Sequence, residues 1–174
     1  MLFCYYKIAL ETVEEVLSQE YPKTTLFFTV CINSLLKFMI LNKTKAIQNL
    51  PLLYNILKHD RVSEKIKSNI VIGIGDLFRR FPKIHLDIKI LFNCLKSDSS
   101  FLKKTTIRVL SFLILNDYLK IKTDIIYFAA LLNDESQKII ELVNLFFQDL
   151  NLKDPNLIGN ILPDAIDKLS VPDQ

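Results

Sequence analysis

Glycine and proline are scarce in this chain, with three glycines and six prolines among 174 residues. Folds built from strands turn the chain every few residues and use these two residue types in most of their turns. Their scarcity therefore argues against an all-β fold. The sequence instead has long apolar segments with a period near 3.6 residues, as in Leu102, Val109 and Leu113, which predicts helices with one apolar face.

Residues that carry chemistry are scarce as well. His59 and His85 are the only histidines, and neither stands in a metal-binding spacing such as HExxH. Cys4, Cys31 and Cys94 lie far apart without a CxxC pair, which is typical of buried thiols in a reducing compartment. We therefore predict no metal site, no cofactor, no small-molecule substrate and no catalytic residue, so the protein is expected not to be an enzyme.

One short glycine pair could be mistaken for a nucleotide-binding loop. Gly73 and Gly75 are separated by a single residue, but the third glycine and the preceding strand of a dinucleotide-binding loop are missing. The sequence also has no GxxxxGK[ST] motif. Two glycines inside a predicted helix indicate instead that another helix approaches closely at this point.

Long uncharged stretches are absent too. The longest covers residues 24–36, which is 13 residues, whereas a membrane-spanning helix needs roughly 18 or more. The N-terminal residues carry no basic region ahead of their apolar ones, so no secretory signal is expected. The mean hydropathy of +0.25 is nevertheless high. We predict a protein without membrane contact whose helices are buried on more than one side, or whose ends are covered by further protein.

Turn-forming residues divide the chain into segments that are each long enough for one helix. We predict an all-α fold of about eight or nine helices joined by short turns. The expected breaks lie at Pro22, at 49–51, at 59–60, at Pro82, at 97–100, at 116–117, at 133–134 and at 154–155.

The predicted helices repeat with a nearly constant period. Ile66 corresponds to Leu102, 36 residues later, and Leu102 corresponds to Ile139, 37 residues later. The same spacings relate Leu77, Leu113 and Leu150. A single helix pair cannot bury its apolar face, whereas stacked pairs form a continuous core, which is the architecture of an α-solenoid. The alternative is an ordinary helical bundle with a coincidental spacing.

Each repeat has an aspartate in the turn before its second helix. Asp60, Asp98 and Asp134 stand there, and a carboxylate in this place can accept backbone N–H groups at the helix N-terminus. We predict about four HEAT-like antiparallel helix pairs in a single domain over residues 1–174. Within it, residues 1–24 are predicted as an unassigned N-terminal helix and residues 25–172 as the repeats.

Charge is distributed unevenly along the chain. Residues 61–122 carry 13 basic and 5 acidic side chains, while residues 123–174 carry 3 basic and 9 acidic ones. Basic side chains that repeat along stacked helices can neutralise the phosphates of duplex DNA without recognising its sequence. The candidate DNA-binding residues are Lys65, Lys67, Arg79, Arg80, Lys83, Lys103, Lys104, Arg108, Lys120 and Lys122.

Two other interpretations of these charges remain open. The basic residues could be solvated helix faces paired with the acidic end of the chain, or they could bind an acidic protein partner. The sequence shows no interleaving of aromatic and basic residues of the kind that favours stacking of single-stranded nucleic acid.

Four blocks of the chain carry distinctive motifs. Residues 68–82 contain Gly-Asp-Leu followed by Arg-Phe-Pro, and residues 102–122 contain Leu-Ile-Leu-Asn-Asp. Residues 145–150 contain Phe-Phe-Gln-Asp-Leu, and residues 156–170 contain Ile-Leu-Pro-Asp. These blocks resemble the condensin complex subunit 1 family and occur in the family's order. Together they cover about residues 61–172, and one block alone would be much less specific than the ordered set.

The resemblance implies a non-catalytic HEAT-repeat scaffold of a condensin complex that acts in mitotic chromosome condensation. Its implied partners are the SMC ATPase subunits and the kleisin subunit, with the ATPase activity in the SMC proteins. Its implied location is the nucleus and chromosomes, or the cytoplasm in interphase. The family's chains are far longer, so we expect a fragment or a reduced version.

A protein of another class would fit the helical repeats equally well. A HEAT or armadillo adaptor of vesicle coats or of nuclear transport would bind protein cargo and would not bind DNA. Binding of duplex DNA distinguishes the two functions.

Overall fold

The computed structural model describes residues 25–60, 62–82, 87–120, 124–157 and 159. The predicted helix within residues 1–24 lies outside the described residues. The chain divides into two units, Met1–Asp87 and Ile88–Gln174, and each is described by itself. All regular elements in the described residues are helices, seven of them α-helices.

The described residues of the first unit form three α-helices. They are α1 (Thr25–Leu41), α2 (Lys43–Lys58) and α3 (Glu64–Arg80). A single residue, Asn42, separates α1 from α2, and its Oδ1 atom accepts a hydrogen bond from the Lys45 N–H at 3.1 Å. This bond satisfies one of the backbone donors that have no partner within the helix. The helix α1 packs against α2 and α3, and α2 packs against α3.

The helix α2 continues through a residue where the sequence predicted a break. Pro51 lies inside α2, so the predicted break at 49–51 is wrong, and the chain turns at Asn42 instead. Proline removes the hydrogen bond to the carbonyl of residue 47. Pro51 and Ile47 are both exposed, so water can reach this side of the helix and solvate the carbonyl.

In the second unit, the part of the chain that the structure describes forms four α-helices and one turn of 3-10 helix. They are α4 (Lys89–Cys94), α5 (Ser100–Leu115), α6 (Ile125–Ala130), the 3-10 turn (Leu131–Asn133) and α7 (Gln137–Lys153). The helix α5 packs against α4 and α7. The rings of Phe128 in α6 and Phe146 in α7 are almost fully buried and stack with their centroids 4.2 Å apart.

The helices α3, α5 and α7 begin at equivalent serines. Their N-cap residues are Ser63, Ser99 and Ser136, and these serines keep the spacings of 36 and 37 residues that the sequence predicted. The Ser99 hydroxyl caps α5 by accepting the Leu102 N–H at 3.3 Å. The predicted role of the turn aspartates is confirmed for Asp134, whose Oδ1 atom accepts the Ser136 N–H at 2.9 Å.

Positions that correspond in the three helices have corresponding burial. The third residue after each N-cap is buried, and so are the seventh and the fourteenth. These sets are Ile66, Leu102 and Ile139; Ile70, Thr106 and Val143; and Leu77, Leu113 and Leu150. The buried Thr106 hydroxyl donates a hydrogen bond to the Leu102 carbonyl at 2.9 Å, so it has a partner within the core. The all-α repeat fold predicted from the sequence is confirmed, while the single domain over the whole chain stays a prediction.

The predicted close approach of another helix at the glycine pair is confirmed at Gly73. A β-carbon placed on Gly73 would lie 2.5 Å from the Cδ2 atom of Leu36 in α1, which is closer than carbon atoms pack. The absence of a side chain at Gly73 therefore leaves room for the Leu36 side chain between α1 and α3. Among the helices that the structure describes, none combines the length and apolarity that a bilayer crossing requires.

Candidate nucleic-acid interface

The structure separates the ten basic candidates into three groups. Lys83 and Lys122 lie outside the described residues. Lys67 and Lys103 are largely buried. Six are exposed or half-buried, and these are Lys65, Arg79, Arg80, Lys104, Arg108 and Lys120.

Lys67 and Lys103 are equivalent residues of two repeats, each four residues after an N-cap serine. The Lys67 Nζ atom lies 3.5 Å from Glu64 Oε1, and the Lys103 ammonium donates a hydrogen bond to the Asp134 carboxylate. Their side chains are only 10% and 16% exposed. These two lysines therefore neutralise carboxylates within the fold, and neither presents an open ammonium group to a phosphate.

The Asp134 carboxylate is held in its ionised form by its neighbours. Burial raises the pKa of this carboxyl group, but the hydrogen bonds from Lys103 and from the Ser136 N–H outweigh that effect. The charges of Lys103 and Lys104 act in the same direction, so the pKa of Asp134 lies below its ordinary value. The Lys103–Asp134 pair joins α5 to the turn before α7.

We expect this pair to make the fold sensitive to acid. Because the pKa of Asp134 is lower in the folded than in the unfolded chain, the carboxylate stabilises the fold above the unfolded value of about 3.9. That stability is lost as the pH falls through the lower, folded pKa. Urea unfolding of the native chain and of Asp134→Asn at decreasing pH should give curves that differ near neutrality and converge in acid. A constant difference down to the lowest pH would contradict this role of Asp134.

The exposed candidate residues of the first unit lie on α3. Lys65 is in its first turn, and Arg79 and Arg80 are in its last turn, where positive charge interacts favourably with the helix dipole. The Arg79 Nη2 atom is 3.8 Å from Asp76 Oδ1, and both side chains are about half exposed. Such a solvated pair contributes about 0–1 kcal/mol, so Arg79 remains available to a phosphate.

The exposed or half-buried candidate residues of the second unit lie on α5 and just after it. Lys104 and Arg108 are four residues apart, so they share one face of α5. The sequence of α5 contains no Asp or Glu. Lys120 is exposed beyond the end of α5. The face of α5 that carries Lys104 and Arg108 thus has no acidic residue of its own.

Sequence reasoning missed two aromatic residues on the same face. Phe101 and Phe112 are 57% and 48% exposed, and with Lys104 and Arg108 they follow the spacing i, i+3, i+7 and i+11. Along this helix face the two aromatic residues flank the two cations, an arrangement that the sequence analysis did not consider. Helical periodicity was the signal that could have revealed it.

The structure offers little support for a site of another kind. In the described ranges, no three His, Cys, Asp or Glu side chains come together in a way that could hold a metal ion. Cys31 and Cys94 are buried thiols. An open groove of about 260 Å³ lies between α1 and α3, with a mixed lining of apolar, amide and charged side chains.

Comparisons with known proteins agree on one family. A family model described as non-SMC mitotic condensation complex subunit 1 matches residues 65–174. The chain is 36% identical over 138 residues to "Condensin-1 complex subunit CAP-D2" of Arabidopsis thaliana, which covers 79% of this chain and 10% of that protein. It is 36% identical over 146 residues to "Condensin complex subunit 1" of Xenopus laevis, with 83% and 11% covered.

The human protein of that name is similar to the same extent. It is 34% identical over 139 residues, which cover 79% of this chain and 10% of the human protein. The chain thus spans about a tenth of the length of the curated relatives it matches.

Proposed function

Because this chain belongs to the family of non-SMC mitotic condensation complex subunit 1, we propose that it is a non-enzymatic helical-repeat scaffold module of a condensin complex. In this function it contacts other subunits through its helices and binds the phosphates of duplex DNA without sequence preference. Its place of action is the chromosome in the nucleus. The family membership supports the scaffold function, and the exposed basic residues support DNA binding.

One observation carries the DNA-binding part of the proposal. Lys104 and Arg108 are exposed or half-buried on a face of α5 that has no acidic residue. Phosphate contacts need cations that are not already neutralised, because their affinity comes from the release of counterions from the DNA. On α3, Lys65, Arg79 and Arg80 offer further contacts of the same kind. We leave Lys67 and Lys103 out of the proposed interface because both pair with carboxylates in the fold.

The proposal is tested by reversing the charge of the α5 pair. We expect the double variant Lys104→Glu/Arg108→Glu to bind duplex DNA at least about ten-fold more weakly, because two attractive contacts become repulsive. Affinity of the native chain should fall with salt and be similar for unrelated duplex sequences. Removing two phosphate contacts should reduce the slope of log affinity against log salt by about 1.8. Fluorescence anisotropy with a labelled duplex measures both quantities.

A matched control separates local contact from net charge. The variant Lys43→Glu/Lys58→Glu changes the charge by the same amount at the two ends of α2, and its effects on the α2 dipole oppose each other. It should bind duplex DNA like the native chain. Equal loss of affinity in both variants would exclude a specific α5 surface, and full affinity of the α5 variant would exclude DNA binding by these residues.

The scaffold part of the proposal concerns protein partners. We expect a tagged chain to recover SMC and kleisin subunits from a native extract treated with nuclease. Nuclease treatment removes recovery through shared DNA. Recovery of coat or nuclear-transport proteins in their place would overturn the condensin assignment, and so would the absence of both SMC and kleisin subunits.

A further inference from the structure

We propose that one face of α5, formed by Phe101, Lys104, Arg108 and Phe112 and called here the α5 face, binds single-stranded DNA. This inference rests on the proposed function, since it assumes that Lys104 and Arg108 contact DNA phosphates. The inference goes further by stating that the α5 face prefers single-stranded to duplex DNA. The two phenylalanines stack on unpaired bases while the two basic side chains between them hold the backbone.

The spacing of the four residues places them in one row. Phe101 and Phe112 are eleven residues apart, which corresponds to about 16 Å along a helix with a rise of 1.5 Å per residue. Lys104 and Arg108 lie between them at intervals of about one turn. The row therefore has an aromatic side chain at each end and two cationic side chains between them.

Both aromatic ends are open to solvent. Phe101 is 57% exposed and Phe112 is 48% exposed, although phenylalanine is usually buried. The Phe112 ring is stacked with that of Tyr118, with centroids 6.0 Å apart and planes 25° apart. This contact holds the Phe112 ring beside a second aromatic ring, and the pair forms a platform for a base.

Duplex DNA would not use the two phenylalanines of the α5 face. A duplex presents phosphates to a helix face, and its bases are already stacked on one another, so only Lys104 and Arg108 would contribute. A single strand offers unstacked bases as well as phosphates. Aromatic stacking combined with cationic contacts to the backbone is the chemistry by which proteins hold single strands without sequence preference.

The charge of the face favours a nucleic acid over an apolar protein partner. An apolar docking surface gains from burying uncharged side chains, whereas the centre of the α5 face holds two cations and α5 has no acidic residue. An acidic and apolar peptide remains the competing occupant. Leucine variants of the two phenylalanines distinguish a peptide from a single strand. Leucine keeps the apolar contact that a peptide needs but cannot stack on a base.

The test compares a short labelled oligothymidine with a labelled duplex in anisotropy titrations of the full chain. We expect Phe101→Ala/Phe112→Ala to weaken oligothymidine binding at least about ten-fold, because it removes both rings on which bases stack. Duplex binding should be unchanged. The variant Phe101→Leu/Phe112→Leu should lose affinity almost as strongly, and Phe101→Tyr/Phe112→Tyr should retain it. All these side chains are exposed, so the fold should tolerate the changes.

The outcomes separate this inference from the proposed function. Unchanged oligothymidine binding by the alanine variant would overturn the inference, and full affinity of the leucine variant would indicate apolar docking and overturn it too. If Lys104→Glu/Arg108→Glu binds both probes like the native chain, the proposed DNA function fails as well. As a control for exposed apolar area, Leu145→Ala/Leu152→Ala on α7 should bind both probes normally.

Discussion

Replacing Gly73 with valine should destabilise the protein by about 1–3 kcal/mol, and Gly73→Ala should destabilise it by less. A β-carbon on Gly73 would lie 2.5, 2.7 and 2.9 Å from the Cδ2, Cδ1 and Cγ atoms of Leu36. Leu36 is only 5% exposed, so its side chain must shift within its packed surroundings or toward the open groove that it lines together with Gly73. Alanine gains about 1 kcal/mol in helix propensity over glycine, which offsets part of the cost. Urea unfolding followed by circular dichroism measures these changes.

A double-mutant cycle shows whether the cost arises from this contact. Leu36→Ala alone should cost about 2–5 kcal/mol, because it opens a cavity. Leu36→Ala combined with Gly73→Ala should cost less than the sum of the two, since the new methyl group occupies part of that cavity. Additive costs would show that Gly73 is not constrained by Leu36. Gly159→Ala serves as the reference, because no atom lies within 4 Å of a β-carbon placed on Gly159. The stability of this variant should hardly differ from that of the native protein.

The repeat fold could be predicted from the sequence because apolar periodicity and turn residues are local signals. The equivalence of Ile66, Leu102 and Ile139 follows from residue spacing alone, and all three are buried. The failure at Pro51 has a physical reason. Proline costs a helix one hydrogen bond, and a helix with a buried face and an exposed carbonyl can tolerate that loss.

The candidate interface was harder to predict because tertiary pairing decides which charges remain open. Lys103 and Lys104 are neighbours in the sequence, yet Lys103 is bound to a carboxylate 31 residues away while Lys104 is half-buried. Nothing local distinguishes them. The repeat spacing gives a partial indication of which lysines are paired. Lys67 and Lys103 occupy equivalent positions, and both are paired with acidic side chains. The exposure of Phe101 and Phe112 depends on the packing of α5 against α4 and α7 and could not be predicted from composition.

Reversing the charge of Lys103 should destabilise the second unit by about 3–5 kcal/mol, whereas Lys104→Glu should change stability by less than about 0.5 kcal/mol. In Lys103→Glu, the Asp134 carboxylate loses its cation and faces a second carboxylate. The Asp134 side chain is only 8% exposed, so water cannot replace the lost partner. Thermal unfolding of the two variants measures the contrast.

The charge swap tests whether the pair itself is responsible. Lys103→Glu/Asp134→Lys restores opposite charges across the same contact and should recover a large part of the lost stability, although the Asp134 bond to the Ser136 N–H is gone. Equal stability of Lys103→Glu and Lys104→Glu would show that the Lys103–Asp134 pair does not stabilise the fold. If the contrast holds, loss of DNA binding in a Lys103→Glu variant reports unfolding, and phosphate contact must be judged from Lys104 and Arg108.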